Sequence, residues 1–217
     1  MNKINQRIID FYLGSEKLKR QFSPMFYSSP AKEQTILSLG LNPSLTQNFK
    51  KELEARSLDL KSFEKASPAD QKAKIAEAVN YQKELKYGED SIQYFKLQER
   101  FFEEVGVDFR KNVFHYDLYQ NRETNSKAVL KLLKSDKELT GELISQLEDA
   151  ILLVNPKLIL VFNAAVSKLL KESDQFFKDS ETGLDPEMGC YFYNETPILL
   201  ANQLSGGATS IVYRDIL

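Results

Sequence analysis

Residues 158–162 read Leu-Ile-Leu-Val-Phe, and this unbroken apolar run is the feature that most limits what the chain can fold into. A strand with no polar side chain is buried on both faces, which is typical of the centre of a parallel sheet covered by helices. Other short segments predict strands of the same sheet, because they are rich in branched and aromatic residues and bounded by turn signals: residues 35–41, 112–119 and 196–202.

Segments with helical periodicity are interspersed with these strands. Apolar residues recur at helical spacing in residues 2–20, 91–105 and 164–171. A further helix is expected to begin at Ser135, in a capping box with Glu138, and to end at Asn155-Pro156. Residues 172–196 are expected to form an irregular acidic connection. The alternation of strands and helices predicts an α/β fold with three α/β/α layers and a mostly parallel, four-stranded sheet.

Residues 48–87 interrupt this alternation with a long, charged and helix-prone segment. Ser67 followed by Pro68 predicts an N-cap and a first helical position, and Asp70 would lie in the first turn of that helix. We therefore expect one domain over residues 1–217 that carries a helical insertion near residues 48–87.

The charge balance and the cysteine count limit the kinds of protein that this chain can be. The net charge is −2 and the pI about 5.7, so the chain lacks the bulk basic footprint of many nucleic-acid binders. One cysteine, Cys190, excludes an internal disulfide and favours a reducing compartment, which we take to be the cytoplasm. With one histidine and one cysteine, no metal site is expected. No apolar run approaches the roughly 20 residues of a membrane span.

Ligands of parallel α/β sheets bind at the carboxyl ends of the strands. In this sequence those ends fall at residues 40–44, 117–119, 162–163 and 202–207. The polar side chains of these segments include the amide of Asn42 and the carboxyl group of Asp117. The patterns of P-loop enzymes, Rossmann dehydrogenases and serine hydrolases are missing.

The first of these strand ends resembles the opening motif of the uracil-DNA glycosylase superfamily, most closely its mismatch-specific and single-strand-selective types. The segment LGLNPS looks like Gly-x-Asn-Pro-Gly, with Gly40, Asn42 and Pro43 on the pattern and Ser44 in place of the second glycine. The family spacing also puts Tyr87 at the base-stacking position, ahead of a helix start at residues 93–96.

Two later segments extend the resemblance to residues 34–216. VFHYDLYQNR is similar to the family's second strand, where Asp117 stands at the position of an Asn that reads the flipped base. LANQLSGGATS looks like the closing motif, with Gln203 and the loop that follows it in place of the usual His-Pro-Ser or Asn-Pro-Ser, and an alternative register puts Asn202 in the first position.

The resemblance implies hydrolysis of the N-glycosidic bond of a damaged or mismatched base in DNA, by a monomer without metal or cofactor. Asn42 would orient the attacking water, and the backbone of Gly40 and Leu41 would bind the base. Tyr87 would stack on the base, whose edges Asp117 and Gln203 would contact. The residues expected to approach the DNA backbone are Pro43, Ser44, Ser126, Ser205, Gly206 and Gly207.

Asp117 departs from the family pattern, because an ionised carboxylate only accepts hydrogen bonds whereas Asn also donates them. Asp117 is either protonated, or selects a base with an exocyclic amine, or belongs to a site without this activity, or caps the loop after it.

The same fold could instead serve as a non-catalytic module that binds a nucleobase or nucleic acid. A third alternative is a protein-interaction domain with residues 48–87 as its contact surface. His115 lies inside the second predicted strand and is expected to pack there.

Overall fold

The computed structural model describes residues 3–15, 18, 24–43, 47–87, 93–123, 125–173, 176 and 190–200. The chain forms two compact units, each assembled from separate segments. The first unit comprises residues 1–29, 42–89 and 119–140, and the second comprises residues 30–41, 90–118 and 141–217. In chain order, the helices of the described residues are α1 (Lys3–Gly14), α2 (Gln47–Ala55), α3 (Leu60–Glu64), α4 (Pro68–Tyr87), α5 (Gln93–Glu104), α6 (Phe109–Asn112), α7 (Ser126–Ser135), α8 (Lys137–Val154) and α9 (Ala164–Lys171).

The second unit contains a mostly parallel, mixed sheet flanked by helices. Its strands are β1 (Ile36–Gly40), β2 (Val113–Asp117), β3 (Leu158–Val161), β4 (Tyr191–Tyr193) and β5 (Thr196–Leu200). The strand order is β2-β1-β3-β5-β4, and every neighbouring pair is parallel except β4 with β5. The apolar run at residues 158–162 supplies β3, the middle strand, as its composition predicts.

The sheet has five strands within the described residues, so the expectation of four strands is wrong. The additional strand is β4, which lies in the segment expected to be irregular. It pairs antiparallel with β5 through a two-residue turn in which Asn194 adopts a φ of 53°. A positive φ at this point matches the twist of a tight hairpin, and Asn tolerates it better than most residues. Three residues are too few for a periodic pattern, so this strand has no signal in the sequence.

Helix α5 covers one face of the sheet. Its Phe95 ring meets His115 edge-on at 5.1 Å between ring centroids, and its Gln98 side chain bonds to Ser38. Further along the helix, Phe101 and Phe102 pack against Phe162 with centroid distances of 5.1 and 5.9 Å. These contacts bury the aromatic stripe that the periodicity of residues 91–105 predicts.

The first unit is helical in its described residues. The buried side chain of Asn5 in α1 binds the backbone of Tyr27 through two hydrogen bonds. Its amide donates to the Tyr27 carbonyl at 2.7 Å and accepts from the Tyr27 N–H at 2.8 Å. The Gln82 side chain of α4 accepts from the N–H of Phe26 at 3.2 Å. Buried side-chain amides thus satisfy backbone groups that no strand partner pairs. The segment at residues 48–87 is helical, as predicted.

Four side chains form a continuous stack in the first unit. The Arg122 guanidinium lies 4.4 Å from the Phe49 ring centroid, Phe49 stacks on Tyr81 at 5.4 Å, and Arg56 lies 4.5 Å from Tyr81 on the far side. Burial, followed by the hydrogen bond and negative charge of Glu52, raises the pKa of the Tyr81 phenol above its usual range. The stack joins α2, α4 and the chain before α7 by cation–π and aromatic contacts.

Several helix ends follow their sequence signals. Helix α4 begins at Pro68, and the Ser67 hydroxyl accepts the Asp70 N–H at 3.2 Å. Gly106 follows α5 with a φ of 72°, and Asn155 follows α8 with a φ of 48°, both in the left-handed conformation common after a helix. No helix in the described ranges is long and apolar enough to span a bilayer.

The capping box predicted at Ser135 and Glu138 is wrong. Ser135 is the last residue of α7, and its hydroxyl donates to the Leu132 carbonyl at 3.0 Å. Asp136 caps the next helix instead, because its carboxylate accepts the Leu139 N–H at 3.1 Å. Either Ser or Asp can cap a helix, and here the cap is the residue one position later.

Candidate functional site

The strand order indicates that a ligand would bind at the carboxyl ends of two strands of the sheet. Strands β1 and β3 are neighbours, but the chain leaves β1 toward β2 on one side and leaves β3 toward β5 on the other. In open parallel sheets a crevice forms where the strand order reverses, outside the carboxyl ends of the two strands. The residues at this point of the second unit are Gly40 at the end of β1, Leu41 after it, and Phe162 and Asn163 after β3. The Asn163 side chain caps α9 by accepting the N–H groups of Ala165 and Val166.

Gly40 lies directly against the carboxyl group of Asp117, its register partner on β2. A Cβ atom at residue 40 would lie 2.5 Å from Asp117 Oδ1 and 3.1 Å from His115 Cε1. Only glycine leaves room for the carboxyl group in this position, and the need for it is steric rather than conformational. The structure therefore brings together two of the predicted site residues, Gly40 and Asp117.

A chain of polar side chains runs along the same face of the sheet beneath α5. Ser38 Oγ donates to Gln98 Oε1 at 2.6 Å and lies 3.2 Å from His115 Nδ1. His115 Nε2 in turn lies 3.4 Å from Asp117 Oδ1. Ser38 and Gln98 are completely buried, and His115 and Asp117 are exposed by only 4% and 3%. A polar network at this depth in the core is stabilising only when its members satisfy one another.

Hydrogen positions in this network follow from its donors and acceptors. Ser38 Oγ donates its one hydrogen to the Gln98 carbonyl oxygen, so toward His115 Nδ1 it is an acceptor. His115 Nε2 and Asp117 Oδ1 lie within ion-pair distance, so a charge on either group acts directly on the other.

Asn42 lies in the first unit with its amide group fixed. Its Nδ2 donates to the carbonyl of Glu123 at 2.6 Å and to that of Pro43 at 3.1 Å. The Glu123 N–H also donates to the Pro43 carbonyl, at 3.1 Å, which closes the loop. Because both neighbouring acceptors are carbonyl oxygens, the amide atom that faces them is the nitrogen, Nδ2. The amide oxygen, Oδ1, is then left to accept a hydrogen bond from another group.

The other predicted site residues are placed as follows. Leu41 is buried at 5% exposure, and Pro43 is half-buried. Ser126 is exposed as the first residue of α7. Tyr87 is the last residue of α4, and its side chain is outside the described part of the structure. The remaining residues lie outside the described residues altogether: Ser44, Gln203, Ser205, Gly206 and Gly207.

Sequence reasoning missed Ser38 and Gln98 and gave His115 only a packing role. One signal was available, because Ser38 is a polar residue inside an otherwise apolar strand. A buried serine two residues before Gly40 shares its face of the sheet, as His115 does with Asp117. Among the described residues no cluster of three or more His, Cys, Asp and Glu side chains could hold a metal ion.

Comparisons with protein-family models and with curated proteins find no match to this sequence. The resemblance to the uracil-DNA glycosylase superfamily therefore rests on the motifs quoted above.

Proposed function

We propose that this protein is a DNA glycosylase that hydrolyses the N-glycosidic bond of a damaged or mismatched base. The proposal includes the three-layer arrangement of the uracil-DNA glycosylase superfamily, a monomeric state, a cytoplasmic location and a reaction without metal or cofactor. It is supported by the parallel strands found at the expected segments, with Gly40 at the carboxyl end of β1 and Asn42 and Pro43 following it in the chain.

The observation that carries the proposal is the fixed amide of Asn42. The Glu123 and Pro43 carbonyls hold Nδ2, so Oδ1 is the amide atom that would accept a hydrogen bond from a water molecule. A carbonyl oxygen that accepts one hydrogen of a water molecule turns a lone pair of that water toward its target. An oxocarbenium-like sugar needs only a weak nucleophile, so the catalytic demand on Asn42 is orientation rather than proton removal.

Asp117 is assigned to the base edge together with its partner His115. An ionised carboxylate about 4 Å from an anionic leaving base would meet repulsion of about 4 kcal/mol at an effective dielectric constant of 20. His115 Nε2 lies 3.4 Å from Asp117 Oδ1 and is the neighbouring group that would have to offset that repulsion.

The test is an abasic-site assay with single- and double-stranded oligonucleotides that carry uracil, mismatched thymine, hypoxanthine, xanthine or an alkylated base. We expect excision of at least one base, and Asn42→Ala should slow it by about 10²-fold. Asn112→Ala is the matched control, because the Asn112 amide also donates to a carbonyl, that of Glu33, but at the amino end of β2. No excision by the folded protein, or equal rates for the wild type and Asn42→Ala, would refute the proposal.

A non-catalytic module that binds a nucleobase or nucleic acid is the second candidate. The observation that favours it is the burial of Ser38, Gln98, His115 and Asp117, which contact one another along one face of the sheet. Calorimetric titration with nucleobases and modified oligonucleotides distinguishes the two. Saturable binding without excision would support the module, and the absence of binding would count against it.

A further inference from the structure

Helix α7 exposes a row of lysines. Val129 and Leu133 are buried at 2% exposure and attach the helix to its unit. The opposite side carries Lys127, Lys131 and Lys134, all exposed and spaced four and three residues apart. Residues at this spacing lie above one another on a helix, so the three ammonium groups form one stripe. Together with Leu130 and Ser135 they line an open depression of about 520 Å³. We call these three residues the lysine stripe.

The lysine stripe reverses the charge of the protein locally. Residues 125–137 contain four lysines and one acid, Asp136, and so carry a net charge of +3. The whole chain carries −2, so the remainder carries −5. A protein with an acidic bulk composition thus concentrates positive charge on one short helix, which is the pattern of a local binding surface rather than of general solubility.

Two other lysines of the protein show how a carboxylate four residues away can offset the charge of a lysine on a helix. Lys50 pairs with Glu54 at 3.9 Å on α2, and Lys168 pairs with Glu172 at 3.6 Å at the end of α9, each at a spacing of four residues. In the described part of the chain, no carboxylate forms such a pair with Lys127, Lys131 or Lys134. Like charges at this spacing cost a helix about 0.2–0.5 kcal/mol per pair, so an anionic ligand would relieve a standing repulsion.

We propose that the lysine stripe binds the sugar-phosphate backbone of a DNA strand. The seven-residue separation of Lys127 and Lys134 corresponds to about 10 Å along a helix at a rise of 1.5 Å per residue. One strand of DNA advances about 3.4 Å per phosphate, so the same length spans about three phosphates. A linear polyanion matches three ammonium groups in a row, and Lys binds phosphate as a point charge without fixed geometry. This surface deepens the proposed function and rests on it for the choice of DNA.

The test is fluorescence anisotropy with labelled single-stranded and duplex DNA 20-mers at several salt concentrations. The stripe variant is Lys127→Gln/Lys131→Gln/Lys134→Gln. The control variant is Lys61→Gln/Lys65→Gln/Lys72→Gln, which removes the same charge from exposed lysines of the 48–87 segment. Lys→Arg at the three stripe positions keeps the charge, and circular dichroism checks that each variant is folded.

We expect the stripe variant to bind DNA at least tenfold more weakly at 50 mM salt, whereas the control and the Lys→Arg variant stay within about twofold of wild type. Three phosphate contacts predict a slope of log K against log[salt] of about −2 for single strands, and this dependence should vanish in the stripe variant. A polyglutamate chain should not compete with DNA. The proposal is overturned if wild type does not bind, if both triple-Gln variants lose affinity equally, or if polyglutamate binds as tightly as DNA.

The same experiment separates this proposal from base excision. Asn112→Ala should bind DNA as wild type does, because Asn112 lies outside both the lysine stripe and the proposed catalytic site. Stripe-dependent binding without excision would remove the glycosylase proposal alone. Excision that depends on Asn42 but not on the stripe lysines would remove only the DNA surface on α7.

Discussion

Replacing Gly40 by alanine tests the packing of the buried polar network. The new Cβ would lie 2.5 Å from Asp117 Oδ1 and 3.1 Å from His115 Cε1. The first distance is far inside van der Waals contact, and the atom it meets belongs to a short side chain exposed by only 3%. Overpacking in a buried site costs about 1–3 kcal/mol. For a protein of this size a change of 1 kcal/mol shifts the melting temperature by about 2–4 °C, so we expect a loss of about 2–12 °C.

A double-mutant cycle measured by urea denaturation can show whether the clash with Asp117 causes the loss of stability in Gly40→Ala. Asp117→Ala removes the atom that the new Cβ would meet, so Gly40→Ala should cost at least about 1 kcal/mol less in that background. Gly14→Ala is the matched control, since a Cβ at residue 14 meets nothing within 4 Å and alanine is favoured in a helix. The reasoning is refuted if Gly40→Ala unfolds like wild type, or if its cost is the same with and without Asp117.

Two further predictions concern local interactions. Ser67→Ala should lower the free energy of unfolding by about 0.5–2 kcal/mol, because it removes the hydroxyl that accepts the Asp70 N–H at the start of α4; an unchanged urea midpoint would contradict the assigned cap. Burial, and after it the charge of Glu148, raises the pKa of the Tyr193 phenol to about 12 from a usual 10.0. The folded state therefore favours the neutral phenol, and the resulting stability is complete below pH 10 and lost as the pH rises through 12. Thermal melts between pH 9 and 12 should fall more steeply for wild type than for Tyr193→Phe, and parallel curves would show that Tyr193 makes no such contribution.

Some of the fold could be predicted because its signals are local. The apolar run at residues 158–162 indicates a strand buried on both faces, whatever its neighbours are. Helix α4 begins where the Ser67-Pro68 pair predicts, since a cap depends only on the residues of one turn. The left-handed residues at Gly106 and Asn155 end α5 and α8 for the same reason.

Other elements were missed because two local signals competed or none was strong enough. Helix α7 follows a polar stretch that also suits a loop, and its N-cap, Asn125, is found only by the bond from the Ala128 N–H to the Asn125 side chain. Ser135 and Asp136 are both acceptable caps, and the sequence does not rank them. Strand β4 has three residues and is defined by its pairing with β5 rather than by its own pattern.

The sequence by itself determined the α/β class. It also predicted Asn42 and Asp117 as site residues, because strand ends can be recognised from the residues around them. Only the tertiary structure decided what those side chains touch. Ser38 meets Gln98 across 60 positions of sequence and His115 across 77, through the register of β1 with β2 and the position of α5 over the sheet. Periodicity shows which face of an element is buried, but not which element covers it or in what register. For this reason the contact of His115 with Asp117, and the requirement for glycine at residue 40, were visible only in three dimensions.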